Sequence, residues 1–312
     1  MLNDIKEIIA ETRNHLQPLG TKSTYSYSTF LYFRHYGLDV ADNKAEHFFG
    51  TFQSNGFTLA GHILKPKEYK ATVLILHGYL SHCGLLSKLI KYLLDSGFAV
   101  AVYDLPGHGL SSGEPTEIED FSQYSDSLSD FMKIVKPQLH SPYHIIGHST
   151  GAAIIIDYLF SGHQDCFDKV ILVAPLVRSD LWLLSKIGFS ICRPFCNNLP
   201  RVFRNVSSDK DFLQFVKYKD PLQAKKVSMN WVNAMFKWDE KITNAKTSRR
   251  PTLVIQGLKD NIIDWQYNIR FILSKFKNSR IELIENARHE LFNESIVYRK
   301  EVFSQIRSYL EN

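Results

Sequence analysis

The chain has 312 residues, 44% of them hydrophobic, and a formal net charge of +5. That size suits one large domain or a domain with a sizeable insertion, and the composition is that of an ordinary globular protein rather than a disordered or fibrous one. The small net charge argues against nucleic-acid binding, Cys83, Cys166, Cys192 and Cys196 are too few for a disulfide scaffold, and no apolar stretch reaches the ~20 residues of a membrane helix.

The N-terminus, MLNDIKEIIAETRNHL, carries acids early and lacks the continuous apolar run of a signal peptide. The chain therefore reads as cytoplasmic. Residues 1–44 read as a helical leader followed by a polar, Tyr/Ser-rich link, TKSTYSYSTF. From residue 45 strands begin: HFFGTF and FTLAGHI flank Ser54-Asn55-Gly56, a hairpin signal. ATVLILH (71–77), FAVAVYD (98–104), YHIIGH (143–148) and KVILVAP (169–175) then read as buried strands, as do PTLVIQG (251–257) and RIELIE (280–285). Between them, Leu85, Leu89 and Leu93, with Leu86, Ile90 and Leu94, give one helical face. Phe121, Tyr124, Leu128, Phe131 and Val135 give another, and GAAIIIDYLF starts a third helix. A helix separates the last two strands and another closes the chain. Strands that are continuously apolar, alternating with helices, predict an α/β fold with a mostly parallel sheet flanked by helices.

Residues 177–247 break this alternation. They show no strand runs, and Trp182, Phe189, Phe195, Phe203, Trp231, Phe236 and Trp238 stand among basic residues. Residues 177–250 hold fifteen Lys/Arg against six Asp/Glu, a local balance of +9 that leaves the remainder at −4. The segment reads as a helical cap inserted between a first core part, 45–176, and a second, 248–312. Cys192 and Cys196, with no histidine or further cysteine nearby, read as small apolar side chains rather than metal ligands.

Ligands of open parallel sheets bind beyond the carboxyl ends of the strands. YHIIGH runs into Gly147-His148-Ser149-Thr150-Gly151, which is either a plain turn or a sharp strand-to-helix bend with Ser149 at its apex. Its place between a predicted strand and a predicted helix favours the bend, and the flanking glycines let backbone pack where a Cβ would clash. A serine hydroxyl needs a base to become a nucleophile. His289, in ENARHELFNE, lies between the last strand and the last helix, at another strand end. An acid should precede it in the chain. Asp260, in QGLKDNIID, follows its strand directly; Asp264 and Asp180 are its rivals, and Asp264 also reads as an N-cap before Trp265. The amides of Tyr79, in His77-Gly78-Tyr79, and of Thr150 are candidate oxyanion donors. His77, Gly78, Asp104 and His108 read as shaping their loops, and His15, His35, His140 and His163 as solvated.

In order, HGY, YDLPGHGLSSG, GHSTG and then GLKD with ARHELFNE resemble the α/β-hydrolase fold. More narrowly they resemble the monoacylglycerol lipase and lysophospholipase group, filed with the serine aminopeptidase-type hydrolases. The resemblance covers roughly residues 45–312 and is looser over the cap. It implies Ser149 as nucleophile, Asp260 as acid, His289 as base, and Tyr79 and Thr150 as oxyanion donors. It also implies hydrolysis of monoacyl-lipid esters through an acyl-enzyme, with no metal or organic cofactor. The group usually has GHSMGG where this chain has GHSTGAA; the Thr150 amide is retained and Ala152 takes the place of the second glycine. The leader is no part of the usual core.

Trp182, Phe189, Phe195 and Trp231 are candidates to line an acyl pocket. DLWLLSKIGFSICRPF is either a solvated surface or an apolar face that meets substrate or lipid, with Arg193, Arg201 and Arg204 attracting an anionic membrane or micelle. Three rival functions stand. A short-chain esterase or thioesterase would use the same site. An aminopeptidase would need carboxylates for the substrate ammonium, and the cap is poor in them. A non-catalytic ligand-binding relative would ordinarily have lost one of the three catalytic side chains.

Overall fold

Apolar runs that do not alternate must be covered on both sides, and these runs form one eight-stranded sheet. The computed structural model describes residues 4–22, 24–39 and 45–312. The leader positions 1–3, 23 and 40–44 lie outside the described residues. β1 (Ala45–Ser54) and β2 (Phe57–Pro66) pair antiparallel through Asn55 (φ 49°) and Gly56 (φ 78°), the left-handed pair that a tight two-residue hairpin requires. β3 (Thr72–Leu76), β4 (Ala99–Tyr103), β5 (Tyr143–His148) and β6 (Phe167–Val173) follow. The segment that follows β6, the expected insertion, carries β7 (Asn198–Pro200) and β8 (Lys226–Ser228), and β9 (Thr252–Gly257) and β10 (Ser279–Ile284) complete the sheet.

The strand order is β1-β2-β4-β3-β5-β6-β9-β10, antiparallel at β1/β2 and β2/β4 and parallel elsewhere. The chain leaves β3 to one side for β4 and crosses back to the other for β5. That reversal opens a crevice at the carboxyl ends of β3 and β5, where such sheets bind ligands.

The helices are α1 (Ile5–Asn14) and α2 (Tyr27–Tyr36) in the leader, then α3 (Ser87–Asp95), α4 (Ser122–Val135) and α5 (Thr150–Phe160). α6 (Trp182–Cys192), α7 (Lys210–Gln214) and α8 (Met229–Thr243) lie in the insertion, and α9 (Trp265–Lys275) and α10 (Ile296–Glu311) follow it. Two details differ from the sequence reading. The insertion does contain strands: β7 and β8 pair antiparallel, but at three residues each they are too short to show a period. The leader's link is helical from Tyr27 onward. Ser26 caps α2 by accepting from Thr29 N at 3.2 Å, Gly37 (φ 69°) ends it, and Tyr32, Phe33 and Tyr36 are buried. The leader also covers an edge of the sheet, since Thr51 N donates to Gln17 O and Leu19 N to Thr51 O, both at 2.8 Å.

α8 provides one of the fastenings of the insertion to the core. Trp238 Nε1 (3.2 Å) and Lys241 Nζ (2.9 Å) both donate to Asp157 on α5. Arg178 makes a two-pronged pair with Asp239 at 2.9 and 3.1 Å. α6 differs from α8 in having no buried residue.

Candidate active site

β3 and β5 run side by side with Leu76 opposite Gly147, so the loop after β3 lies against the bend after β5. The bend is sharp. Ser149 has φ 53° and ψ −112°, a conformation that costs a side-chain-bearing residue about 1–3 kcal/mol and persists only where its surroundings enforce it. They do so here: Ser149 N donates to Val173 O at 2.9 Å, and Ser149 O accepts from Ala152 N at 3.0 Å. A Cβ on Gly147 would strike the Gly151 backbone, and one on Gly151 would strike Leu76 O. Both positions therefore require glycine for close packing.

Ser149 Oγ lies 3.1 Å from His289 Nε2, and His289 Nδ1 lies 2.7 Å from Asp260 Oδ2. Ser149 follows β5, Asp260 follows β9 and His289 follows β10, so three strand ends converge on one point. Asp260 is held by further donors: Gln256 Nε2 at 3.0 Å to Oδ2 and Ile262 N at 2.9 Å to Oδ1. Burial alone would raise the Asp260 pKa, but the His289 charge and these hydrogen bonds keep it below the ordinary carboxylate value. For His289, burial opposes the charged form, and the Asp260 carboxylate more than offsets it, so its pKa is raised. A hydroxyl, an imidazole and a buried carboxylate in hydrogen-bonded series can move a proton from oxygen to nitrogen and stabilise the cation that results.

The rival acids stand elsewhere. Asp264 caps α9, accepting from Tyr267 N at 3.0 Å, and Asp180 accepts from its neighbour Leu181 N at 3.0 Å. The Tyr79 and Thr150 N–H groups donate to no protein acceptor among the described residues; Thr150 is the first residue of α5, where backbone N–H groups lack intrahelical partners. Trp231 stacks on the Tyr79 ring, centroids 3.7 Å apart and planes 16° apart. The other aromatic candidates lie apart from this contact. Trp182 and Phe189 pack edge-on against Phe236, joining α6 to α8. Phe195, just beyond the end of α6, is 86% exposed.

Several supporting contacts were not singled out from the sequence. His148 donates from Nε2 to His289 O at 2.9 Å, tying the bend to the His289 loop. Buried Glu294 accepts from Arg288 N (2.7 Å) and Ser208 N (2.8 Å), pinning that loop to the insertion. Gly257 admits the same loop, since a Cβ there would strike Arg288 O. The strand-end glycine was the one readable signal among these. His77 and His108 are neutral and fixed. Each accepts a backbone N–H at Nε2, from Leu105 at 3.0 Å and Leu80 at 3.3 Å, and each donates from Nδ1 to a carbonyl. Burial lowers both pKa values, that of His108 to about 4. His35 is half-buried against Phe215 rather than solvated.

A family model described as serine aminopeptidase, S33 (Hydrolase_4) matches residues 67–296, well over half of the chain. The chain belongs to the serine aminopeptidase S33 family. This S33-family chain is similar to the monoglyceride lipase homolog of Monkeypox virus, 28% identical over 255 residues that cover 80% of this chain and 92% of the relative. It is also similar to the probable lysophospholipase L2 of Haemophilus influenzae, 23% identical over 275 residues, covering 80% and 87%. Among solved structures, a soluble variant of monoglyceride lipase from Saccharomyces cerevisiae matches with a TM-score of 0.72 at 20% identity, covering 84% of this chain and 94% of that one. The S33-family chain thus has the α/β-hydrolase fold. Among its described residues no helix is long and apolar enough to cross a membrane, and no group of three or more His, Cys, Asp or Glu is placed to hold a metal.

Proposed function

We propose that the chain hydrolyses carboxylic esters of monoacyl lipids, monoacylglycerols or lysophospholipids, through an acyl-enzyme on Ser149. The observation that carries this is the hydrogen-bonded series from Ser149 through His289 to Asp260. Relatives named as monoglyceride lipase and lysophospholipase support the substrate class. Ser149 Oγ attacks the ester carbonyl as His289 Nε2 takes its proton. The negative oxygen forms facing the Tyr79 and Thr150 N–H groups. The imidazolium, balanced by Asp260, then protonates the leaving alkoxide as the ester C–O bond breaks. Water, deprotonated by His289, attacks the acyl carbon and releases the fatty acid and Ser149.

Labelling with a fluorophosphonate, followed by hydrolysis of a panel of monoacylglycerol, lysophosphatidylcholine, a p-nitrophenyl ester and an aminoacyl naphthylamide, tests the proposal. Cleavage of the naphthylamide with no ester hydrolysis would overturn it. The pH profile adds a second check. The base must be neutral, and its pKa is raised, so kcat/KM should rise with pH along a limb centred above the ordinary imidazole value of about 6.5. A limb centred below that value would contradict the role given to the His289–Asp260 pair.

The insertion adds an inference about where substrate is met. Leu183 is 74% exposed and Val202 76% exposed, and Leu181, Leu184, Ile187, Ile191 and Phe195 are exposed around α6. Leu183, Leu184, Ile187 and Ile191 fall on one side of α6 by helical spacing, and an exposed apolar face of this kind ordinarily meets another surface. Lys186 on α6 and the exposed Lys225 and Lys226 at β8 belong to the same basic segment, which favours an anionic lipid interface as its partner. The sequence singled out Arg193, Arg201 and Arg204, but these are bonded to the protein. Arg193 reaches Asn197 and Asn230, Arg201 reaches Gln223, and Arg204 reaches Asn261 O. Lys186, which lies over the Trp182 and Phe236 rings at 5.6 and 5.5 Å, and the exposed Lys225 and Lys226 give their ammonium groups no hydrogen bond or ion pair among the described residues and are better probes. At low salt, monoacyl substrate in vesicles with anionic lipid should be hydrolysed faster than in neutral vesicles, each lysine contributing about 1 kcal/mol. Rising salt should narrow the gap. Changing the three lysines to Gln should remove most of it and spare a small soluble ester. Equal rates on both vesicle types at low salt would reject the interface.

A further inference from the structure

The reaction above leaves unused a second histidine–carboxylate pair, fully buried. His82 Nε2 donates to Asp220 Oδ2 at 2.9 Å, and both side chains are 0% exposed. His82 Nδ1 accepts from Gly84 N at 3.2 Å, which places the proton on Nε2. Asp220 lies in the insertion beyond α7. Its Oδ1 accepts from Tyr36 Oη at 2.7 Å and Leu222 N at 3.0 Å, and its Oδ2 also accepts from Gln223 Nε2 at 2.8 Å. Burial opposes the charge on Asp220, but His82 and these donors hold its pKa at about 2. A carboxylate taken so far from water is tolerable only with such a full set of partners. This one joins the end of leader helix α2, the loop after β3 and the insertion.

The loop it grips is strained. Leu80, next to Tyr79, has φ 62°, a region that bulky residues avoid. Ser81 N closes the turn on Gly78 O at 3.2 Å, and His82 follows at once. The Tyr36 ring packs edge-on against the His82 imidazole, centroids 5.0 Å apart, and occupies the space where a side chain at Gly84 would stand. On the far side of the loop, Cys83 N donates to Asp104 Oδ1 at 2.7 Å. A turn in a disfavoured conformation relaxes unless its surroundings over-determine it.

We propose that Tyr36, Asp220 and His82 are positioning residues for the reaction: leader and insertion together clamp His82, and so hold the turn Gly78–Ser81 with the Tyr79 N–H aimed at the oxygen that becomes negative. The leader then serves catalysis and does not only cover a sheet edge. The inference rests on the reading of Tyr79 as an oxyanion donor in an ester hydrolase.

The test uses the full chain, titrated to completion with a fluorophosphonate so that rates are expressed per active site. Wild type, Tyr36→Phe, Asp220→Asn and the exposed leader control Tyr27→Ala are assayed on p-nitrophenyl butyrate, with thermal unfolding in parallel. Asp220→Asn should lower kcat about tenfold or more and Tyr36→Phe about threefold, with KM little changed, because a displaced donor weakens binding of the transition state and not of the ester. Tyr27→Ala should match wild type. The double variant Tyr36→Phe/Asp220→Asn should lose less than the product of the single losses, since both act through one network. A Tyr36→Phe protein with a lower Tm but wild-type kcat per titrated site would overturn the proposal, and this variant decides alone if Asp220→Asn does not fold. Failure of wild type itself to label or to hydrolyse the ester would instead overturn the ester-hydrolase reading.

Discussion

Ser149→Ala should lower kcat for ester hydrolysis by about 10⁶-fold, because enzymes that act through an acyl-serine lose nearly all turnover with the hydroxyl. What remains should come from binding and from the two N–H groups of Tyr79 and Thr150, which the substitution does not touch. The fold should survive. The Ser149 side chain contributes one hydrogen bond among the described residues, to His289, and its backbone is fixed by Val173 and by the first turn of α5. The same conformation makes a second, less obvious demand. At φ 53° and ψ −112° alanine is as strained as serine, whereas glycine is not. Ser149→Gly should therefore be as inactive as Ser149→Ala but more stable by about 1 kcal/mol, relief of strain outweighing the entropy of the added glycine. Steady-state rates on a soluble ester and thermal unfolding of the three proteins measure both effects. Turnover by Ser149→Ala within tenfold of wild type would remove Ser149 from the reaction. A glycine variant less stable than the alanine one would mean that the bend is not strained.

The strands were legible because burial on both faces leaves unbroken apolar runs. YHIIGH becomes β5 at its expected limits, and the other parallel strands begin or end within about two residues of theirs. The bend after β5 was legible because glycine on both sides of Ser149 has a local steric cause, the approach of Gly147 to Gly151 and of Gly151 to Leu76. What escaped depends on partners distant in sequence. α2, YSTFLYFRHY, is dense in aromatics that are indifferent helix formers; it is a helix because Tyr32, Phe33 and Tyr36 pack under the core. Asp157 and Asp220 look like any surface acid until Lys241, Trp238, Tyr36 and His82 are brought to them. The aromatics of the insertion show the same limit. Trp238 and Phe195 are alike in sequence context, yet one is buried on Asp157 and the other is exposed, because α8 is fastened to the core and α6 is not.

Asp260→Asn should lower kcat/KM by about 10⁴-fold, the scale of a triad whose imidazole is held in the wrong tautomer. Asp260 Oδ2 accepts the Nδ1–H of His289, which leaves Nε2 free to receive the Ser149 proton. In the asparagine variant Oδ1 can still accept from Ile262 N, and keeping that bond turns the amide NH₂ toward His289. Nδ1 must then accept, the ring proton moves to Nε2, and Nε2 can no longer take a proton from Ser149. The loss follows from tautomer rather than from collapse of the loop, so the variant should still fold. Asp264→Asn keeps an N-cap of nearly equal quality on α9 and should stay within about threefold of wild type. Asp180→Asn alters a side chain whose one hydrogen bond among the described residues is to its neighbour's N–H, and should do the same. Activity on one soluble ester across the three variants, with the rate of fluorophosphonate labelling as a second readout, ranks them. Equal losses at Asp260 and Asp180 would place the acid at the wrong strand end. An Asp260→Asn protein within tenfold of wild type would show that His289 works without a carboxylate, and the 2.7 Å contact would then be only a structural one.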